Sequence, residues 1–170
     1  MSMSRWLLAA VALAAAPGFA FAQQEGTGCG AFRWPVDRER AVLARPDKPL
    51  LVNGGALGYD AATTLELQPL SAAGLPKVPE RPPRSTDSFA GHFTLAAPAK
   101  PGIYRITISS EGWIDVLDGG AYLHPTAFTG ARACDGARKS VKFNLSTRPL
   151  VVQLSGVGDK QISVIVSPDQ

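Results

Sequence analysis

The sequence is short of the residue types from which most catalytic and metal sites are built. Its 170 residues include only two cysteines and two histidines. There is no Cys-x-x-Cys pair, so the sequence does not indicate a thiol redox enzyme. A zinc site would need two further ligands from two distant histidines. The chain also lacks a large excess of charge of one sign, since its formal net charge is only +3. No nucleic-acid partner is predicted, because nucleic-acid binding requires a dense basic face.

Long apolar runs are absent except at the N-terminus. Arg5 precedes an apolar stretch over residues 6–16, and Ala-Phe-Ala at residues 20–22 is the small-residue pattern that signal peptidase reads. We predict a signal peptide over residues 1–22 and a periplasmic or secreted protein. A retained N-terminal anchor is the alternative. No later segment approaches 18 consecutive apolar residues, so no membrane span is predicted after signal cleavage.

Alternation of apolar and polar residues is the main structural signal in the rest of the chain. Removing residues 1–22 would leave 148 residues, which is about one domain. Residues 139–146 show the clearest alternation, with Val141, Phe143 and Leu145 on one face. Further inward-facing strand residues are predicted at Leu65, Leu67, Phe93, Leu95, Tyr104, Ile106, Ile108, Ile162, Val164 and Val166.

These strands are separated by glycine and proline turns, and convincing helical periodicity is absent after the signal. We predict an all-β fold, an antiparallel β-sandwich of jelly-roll-like type with about seven to eight strands. That number includes a strand around "ERAVLAR", residues 39–45. A small barrel is the alternative. Residues 23–170 are predicted to form a single domain.

A proline-rich segment interrupts the strand pattern over residues 69–84. Proline removes backbone donors, so this segment cannot be a central strand. Only 46 residues of the predicted mature chain precede Pro69, which is marginal for an independent core. We therefore predict a surface loop within one domain, lying over a sheet edge, in preference to an interdomain linker.

The two cysteines, Cys29 and Cys134, are predicted to form a disulfide, because an even number in an exported chain favours pairing. This bond would fasten the start of the mature chain to the region around residue 134. Phe32 and Trp34 would then be core anchors beside it. The charges at residues 37–40 alternate in sign, which is typical of a solvated strand or turn.

A basic surface is predicted near this disulfide. Pairing would bring Arg132, Arg138, Lys139 and Lys142 close to Arg33, Arg38 and Arg40. Because arginine matches carboxylate and phosphate geometry, such a surface suits a small anionic ligand. The predicted binding residues are Trp34, Arg38, Arg40, Arg138 and Lys139. An ordinary charged sheet edge is the alternative interpretation.

Other chemistry-bearing residues give weaker signals. Carboxylates beside Trp113, of which Asp115 is one, are compatible with glycoside cleavage. Apolar residues on both faces of that strand instead favour a central strand whose acid bonds to backbone or arginine. His92 and His124 are the only histidines available to a two-histidine Fe(II) site. We predict that both histidines are exposed to solvent and that the chain has no metal site and no cofactor. Fe(II) bound by this pair is the alternative.

Four segments together carry a resemblance to a known group: "CGAFRWPVDRER", "GIYRITISSEGWIDV", "CDGARKSVKF" and "ISVIVSP". This set resembles small exported alphaproteobacterial proteins that often carry the name homogentisate 1,2-dioxygenase. That name implies an Fe(II) oxidoreductase with two histidine ligands and a glutamate, and no residue of this chain can be matched to those ligands. The strand order also resembles the C-terminal sandwich domains of secreted peptidases.

The sequence as a whole therefore predicts a periplasmic binding or accessory module without catalytic activity. Its expected partner is an envelope protein or a small anionic ligand. A dioxygenase-type oxidoreductase is the alternative that the resemblance implies, and a stabilising subunit of an envelope assembly is a third.

Overall fold

Alternating apolar residues build the two facing layers of this fold. The computed structural model describes residues 25–169, and the predicted signal peptide over residues 1–22 lies outside them. Thirteen strands form two sheets in the described part of the chain. They are β1 (Gly26–Thr27), β2 (Leu50–Leu51), β3 (Ala56–Leu57), β4 (Thr63–Glu66), β5 (Gln68–Pro69), β6 (Phe89–Leu95), β7 (Gly102–Ile108), β8 (Trp113–Asp118), β9 (Ala121–Leu123), β10 (Ala127–Arg132), β11 (Lys139–Leu145), β12 (Leu150–Val157) and β13 (Gln161–Pro168).

The two sheets differ in size. The seven-stranded sheet has the order β1-β10-β11-β7-β13-β4-β2, and the six-stranded sheet has the order β3-β6-β12-β8-β9, with β5 also pairing with β6. The predicted β-sandwich is confirmed. The strand number is higher than predicted, and the pairing is not wholly antiparallel. Three pairs are parallel, β1 with β10, β2 with β4 and β3 with β6. Each involves a two-residue strand, which is too short to show alternation in a sequence.

The main core lies between the sheets and follows the predicted alternation. Val141, Phe143 and Leu145 point inward from β11 and are almost completely buried. The inward-facing residues predicted on the other strands belong to the same core, namely Leu65, Leu67, Phe93, Leu95, Tyr104, Ile106, Ile108, Ile162, Val164 and Val166. Of the residues described, no helix is long and apolar enough to cross a membrane.

The strand predicted over residues 39–45 is wrong, because this segment forms a helix, α1 (Asp37–Leu43). Glu39 and Leu43 are both buried, at 3% and 2% exposure. Their spacing of four residues places them on one helix face. The predicted solvated strand or turn at residues 37–40 fails for the same reason, since Glu39 faces the protein. Two short 3-10 helices, Cys29–Ala31 and Leu70–Ala72, complete the regular structure.

The outer faces of the two sheets are covered by different segments. Residues 28–43, here called the N-terminal cover, pack on the seven-stranded sheet, where they contact strands β10 and β13. Residues 73–84, here called the strap, contain most of the predicted proline-rich loop. The strap bonds to side chains of β8 and β12, inside the six-stranded sheet. It therefore lies on a sheet face, and the predicted position over a sheet edge is wrong.

Candidate functional site

The disulfide forms the anchor of the N-terminal cover. Cys29 and Cys134 are bonded, with Cα atoms 4.7 Å apart, which confirms the predicted pairing. Cys134 belongs to a small buried cluster separate from the main core. Phe32 and Trp34 pack against this cluster, as predicted for anchors beside the disulfide. The disulfide thus holds two aromatic side chains on the surface of the seven-stranded sheet.

A groove of about 310 Å³ opens beside the disulfide. It is lined by Cys29, Gly30 and residues 32–37. Trp34 is half-buried in it, and its Nε1 donates a hydrogen bond to Ser140 Oγ at 3.2 Å. Lys142 Nζ lies over the same indole, 4.4 Å from its ring centroid. The orientation of Trp34 is therefore fixed by both a hydrogen bond and a cation–π contact.

The predicted binding residues of α1 point toward acids of the same protein. Arg38 Nη2 lies 2.8 Å from Asp60 Oδ1. Arg40 Nη2 lies 3.7 Å from Asp37 Oδ1, and its Nη1 lies 3.1 Å from Cys29 Sγ. Both guanidiniums are partly exposed, so these contacts leave them accessible to a further partner.

The two predicted residues of β10–β11 are paired as well. Arg138 contacts the carboxylates of Glu25 and Glu111. Its hydrogen bond holds the pKa of Glu25 below the ordinary value. Lys139 Nζ donates to the carbonyl oxygen of Gly112 at 2.7 Å. The structure therefore divides the predicted basic surface, with Arg138 and Lys139 in an ion-pair cluster separate from the groove at Trp34.

Arg33 belongs to the predicted basic surface but is not one of the five predicted binding residues. It lines the groove between Phe32 and Trp34, and its side chain is exposed. Its backbone N–H donates to Thr129 Oγ1 at 3.0 Å, which fixes the main chain there. Among the residues that the structure describes, Arg33 forms no ion pair. Its position between two aromatic residues is the sequence signal that could have identified it.

A buried charge network joins the N-terminal cover to the sheet, and no sequence pattern predicted it. Glu39 Oε1 accepts a hydrogen bond from Ser167 Oγ at 2.9 Å and lies 3.6 Å from Arg105 Nη1. Arg105 Nη1 also donates to the carbonyl oxygen of Pro35 at 2.8 Å. Asp169 completes the network, 2.9 Å from Arg105 Nε through one carboxylate oxygen. Charges that are paired in this way can be buried at tolerable cost.

The outer face of the six-stranded sheet carries a second polar constellation. Asp115 on β8 and Gln153 on β12 are cross-strand neighbours and are 3% and 1% exposed. Asp115 Oδ2 accepts from Gln153 Nε2 at 2.9 Å, and its Oδ1 accepts from Trp113 Nε1 at 2.7 Å. The backbone N–H of Glu80 also donates to Asp115. The prediction of a central-strand acid bonded to backbone is thus confirmed. Both carboxylate oxygens of Asp115 accept hydrogen bonds.

The two histidines lie on opposite sides of this constellation. His92 is on β6 and is half-buried, whereas His124 follows β9 and its side chain is 75% exposed. Strands β12 and β8 lie between them, which corresponds to about 14 Å at the usual strand spacing. His124 Nδ1 instead lies 3.3 Å from Glu80 Oε1. This separation does not fit a site in which both histidines bind one iron. Within residues 25–169, no group of three or more potential side-chain ligands is placed to hold a metal ion.

A larger cleft of about 630 Å³ opens at one end of the sandwich, between β4–β5 and the β12–β13 turn. Its lining residues include both charge signs, with Glu66, Asp159 and Lys160 among them. Phe89 is the one aromatic residue lining it. The groove beside the disulfide is smaller, but two aromatic residues and an exposed arginine line it.

Comparison with known proteins gives no further assignment. No protein-family model matches the chain, and a search of curated proteins finds no match.

Proposed function

We propose that this protein is an exported binding or accessory module that takes a small organic anion in the groove beside the disulfide. The observation that carries the proposal is the groove itself, in which Phe32 and Trp34 flank an exposed Arg33. Ligand sites usually combine apolar, aromatic walls with a few polar groups that fix orientation. This proposal retains the small anionic ligand that the sequence predicted near Trp34, and it makes Arg33 the main cation that pairs with the ligand.

The size of the groove limits the ligand. Its volume of about 310 Å³ is at the lower end of the usual range for small-molecule sites, about 300–1,000 Å³. An aromatic or branched aliphatic carboxylate would place its apolar body against Trp34 and its carboxylate beside the Arg33 guanidinium. Arginine suits this role because its planar fork can donate two parallel hydrogen bonds to a carboxylate.

The surroundings of the groove support a binding role in an oxidising compartment. Disulfides persist in the periplasm and outside the cell, and this one forms part of the groove wall. The disulfide, the Trp34–Ser140 hydrogen bond and the Arg33–Thr129 hydrogen bond fix the groove before any ligand arrives. Preorganisation of this kind lowers the entropy cost of binding.

The test is a titration of the disulfide-bonded protein with phenylacetate. Binding is measured by calorimetry and by tryptophan fluorescence. We expect saturable binding, and weaker binding of the uncharged phenylacetamide. Arg33→Gln should weaken phenylacetate binding about tenfold, because it removes a charge-assisted hydrogen bond. Arg84→Gln is the matched control, since Arg84 is exposed on the strap and away from the groove. Equal binding by the wild type and Arg33→Gln would contradict the proposed site.

A further inference from the structure

The groove beside the disulfide carries charges of both signs. Arg33 lines it between Phe32 and Trp34, and Asp37 lines it at the first residue of α1. Both charged residues are exposed, and the side chain of Asp37 is 80% exposed. No ion pair joins Arg33 to Asp37, so their charged nitrogen and oxygen atoms lie more than 4.0 Å apart. The groove therefore presents two opposite charges that are not paired with each other.

Asp37 also differs from the other exposed acids around α1. Asp47 and Asp60 each have a carboxylate oxygen 2.8 Å from an arginine nitrogen. The Oδ1 atom of Asp37 lies 3.7 Å from Arg40 Nη2, which is longer than a hydrogen bond. An exposed pair at this distance contributes little. The carboxylate of Asp37 is therefore free to accept hydrogen bonds from a ligand.

The main chain that carries both charged residues is fixed. The backbone N–H of Arg33 is bonded to a side chain of β10. The carbonyl oxygen of Pro35 accepts from Arg105 Nη1 at 2.8 Å, and Glu39 is buried against the sheet. Asp37 lies between these last two points along the chain. Because the main chain is already positioned, less entropy is lost when a ligand binds between the two charges.

An α-amino acid has the chemistry that matches this arrangement. Its carboxylate, its ammonium group and its side chain all leave the same carbon atom. The carboxylate would bond to the guanidinium of Arg33 and the ammonium to the carboxylate of Asp37, while an apolar side chain would pack on Trp34. Hydrogen bonds between charged groups are roughly twice as strong as neutral ones. A ligand with a carboxylate alone would bring its negative charge near Asp37 with no ammonium to offset the repulsion.

We propose that the groove selects a zwitterionic ligand, a free α-amino acid with an aromatic or branched apolar side chain. This inference rests on the proposed function, since it uses the same groove and the same Arg33. It adds Asp37 as the residue that determines specificity, through the α-ammonium group of the ligand. A peptide N-terminus fits less well, because its first residue has an ammonium group but no carboxylate for Arg33.

The test compares the affinities of L-phenylalanine and phenylacetate for the disulfide-bonded protein by calorimetry. The two ligands share the ring and the carboxylate, and phenylalanine adds the ammonium group. We expect phenylalanine to bind at least about tenfold more tightly, because it gains a charge-assisted hydrogen bond. D-Phenylalanine should bind more weakly than the L form, since its three groups cannot all reach the same partners. Equal affinities for L-phenylalanine and phenylacetate would overturn the inference.

Asp37→Asn should change the affinities for the two ligands in opposite directions. This variant should bind L-phenylalanine at least about tenfold more weakly, because the ammonium group loses its carboxylate partner. It should bind phenylacetate more tightly, because a negative charge is removed from the groove. Asp47→Asn is the matched control, since Asp47 is an exposed acid outside the groove, and it should change neither affinity. Equal losses of phenylalanine binding in the two variants would contradict recognition by Asp37.

A further variant separates the charge of Asp37 from its place in the first turn of α1. Asp37→Glu keeps the carboxylate, so it should still bind L-phenylalanine more tightly than phenylacetate. Urea unfolding of each variant shows whether α1 has been weakened. Loss of this preference in a folded Asp37→Glu variant would contradict a role for the charge.

The outcomes distinguish this inference from the proposed function. Phenylacetate binding that equals phenylalanine binding and is weakened by Arg33→Gln would support the anion site and overturn the amino-acid specificity. Binding of neither ligand would overturn both proposals. L-Phenylalaninamide is measured at about pH 6, where an α-amino group is protonated. If it bound as tightly as phenylalanine, the groove would recognise a peptide N-terminus, and the inference would be wrong.

Discussion

The two outer faces of the sandwich are both covered by irregular chain, but they are covered in different ways. The N-terminal cover is held on the seven-stranded sheet by a covalent bond, a buried ion pair between Glu39 and Arg105, and an apolar cluster. The strap is held on the six-stranded sheet by a few polar contacts to its backbone. The first cover is therefore anchored covalently and through buried groups, whereas the second is held by hydrogen bonds and by cation–π contacts of Lys77 and Arg81.

The largest difference between the two covers should follow from removing the disulfide. The bonded residues are 105 positions apart, so the chain-entropy model gives a stabilisation of about 4–5 kcal/mol. We expect the Cys29→Ser, Cys134→Ser double variant to lose that much unfolding free energy in urea. Reduced wild type should behave in the same way. A loss below about 1 kcal/mol would show that the N-terminal cover does not depend on its covalent anchor.

The next effect concerns the buried ion pair beneath α1. Arg105→Met would leave the 3%-exposed carboxylate of Glu39 without its cation, and breaking a buried pair usually costs about 3–5 kcal/mol. We expect a loss of that size in urea unfolding. Arg38→Met is the matched control, because the Arg38–Asp60 pair is exposed and should contribute less than about 1 kcal/mol. Similar losses in both variants would contradict a special role for the buried pair.

A smaller effect compares one hydrogen bond from each cover. Tyr122→Phe removes the donor to Val78 in the strap, and Trp34→Phe removes the donor to Ser140 under the N-terminal cover. A lost hydrogen bond of about 1 kcal/mol should speed amide exchange at Lys77 and Glu80 about fivefold in Tyr122→Phe, with little change in global stability. Trp34→Phe should instead lower global stability. If Trp34→Phe also sped local amide exchange without lowering global stability, the two covers would not differ in this respect.

The smallest expected effect is the pH dependence that His92 contributes beside the strap. Burial lowers the pKa of His92 below its ordinary value of 6.5. The unfolded chain therefore takes up a proton at higher pH than the folded protein, so the free energy of unfolding should fall as the pH falls from about 7.5 to about 5. His92→Gln should flatten this dependence in urea titrations. An equally steep pH dependence in His92→Gln and in wild type would contradict this assignment.

The strands were predictable where alternation extends over several residues. Residues 139–146 show it clearly, and Val141 and Phe143 face the core as predicted. The two-residue strands at the sheet edges could not be predicted, because two residues have no period. The helix α1 was missed because Glu39 is buried by pairing with Arg105, whereas a charged residue in a sequence is taken as solvated. Acids at Asp37 and Glu39, two and four residues after Pro35, are nevertheless typical of a helix start.

The candidate sites were predictable only in part, and for a related reason. The disulfide and the packing of Trp34 beside it followed from two cysteines and their aromatic neighbours. The partners of Arg38 and Arg138 are distant in the sequence, at Asp60 and Glu25, so no local pattern indicated them. Asp115 was predicted to be a bonded acid of a central strand, but the strap that covers it was not, because alternation does not reveal what packs on the outside of a sheet.

The order of the strands also determines when this chain can fold during synthesis. The last two strands along the chain, β12 and β13, are each hydrogen-bonded on both sides, β12 between β6 and β8 and β13 between β7 and β4. A ribosome-bound chain that lacks residues 150–168 has a gap in the middle of both sheets. Nascent chains should therefore stay open until nearly all residues have emerged, which fits the proposed export of the chain in an unfolded state.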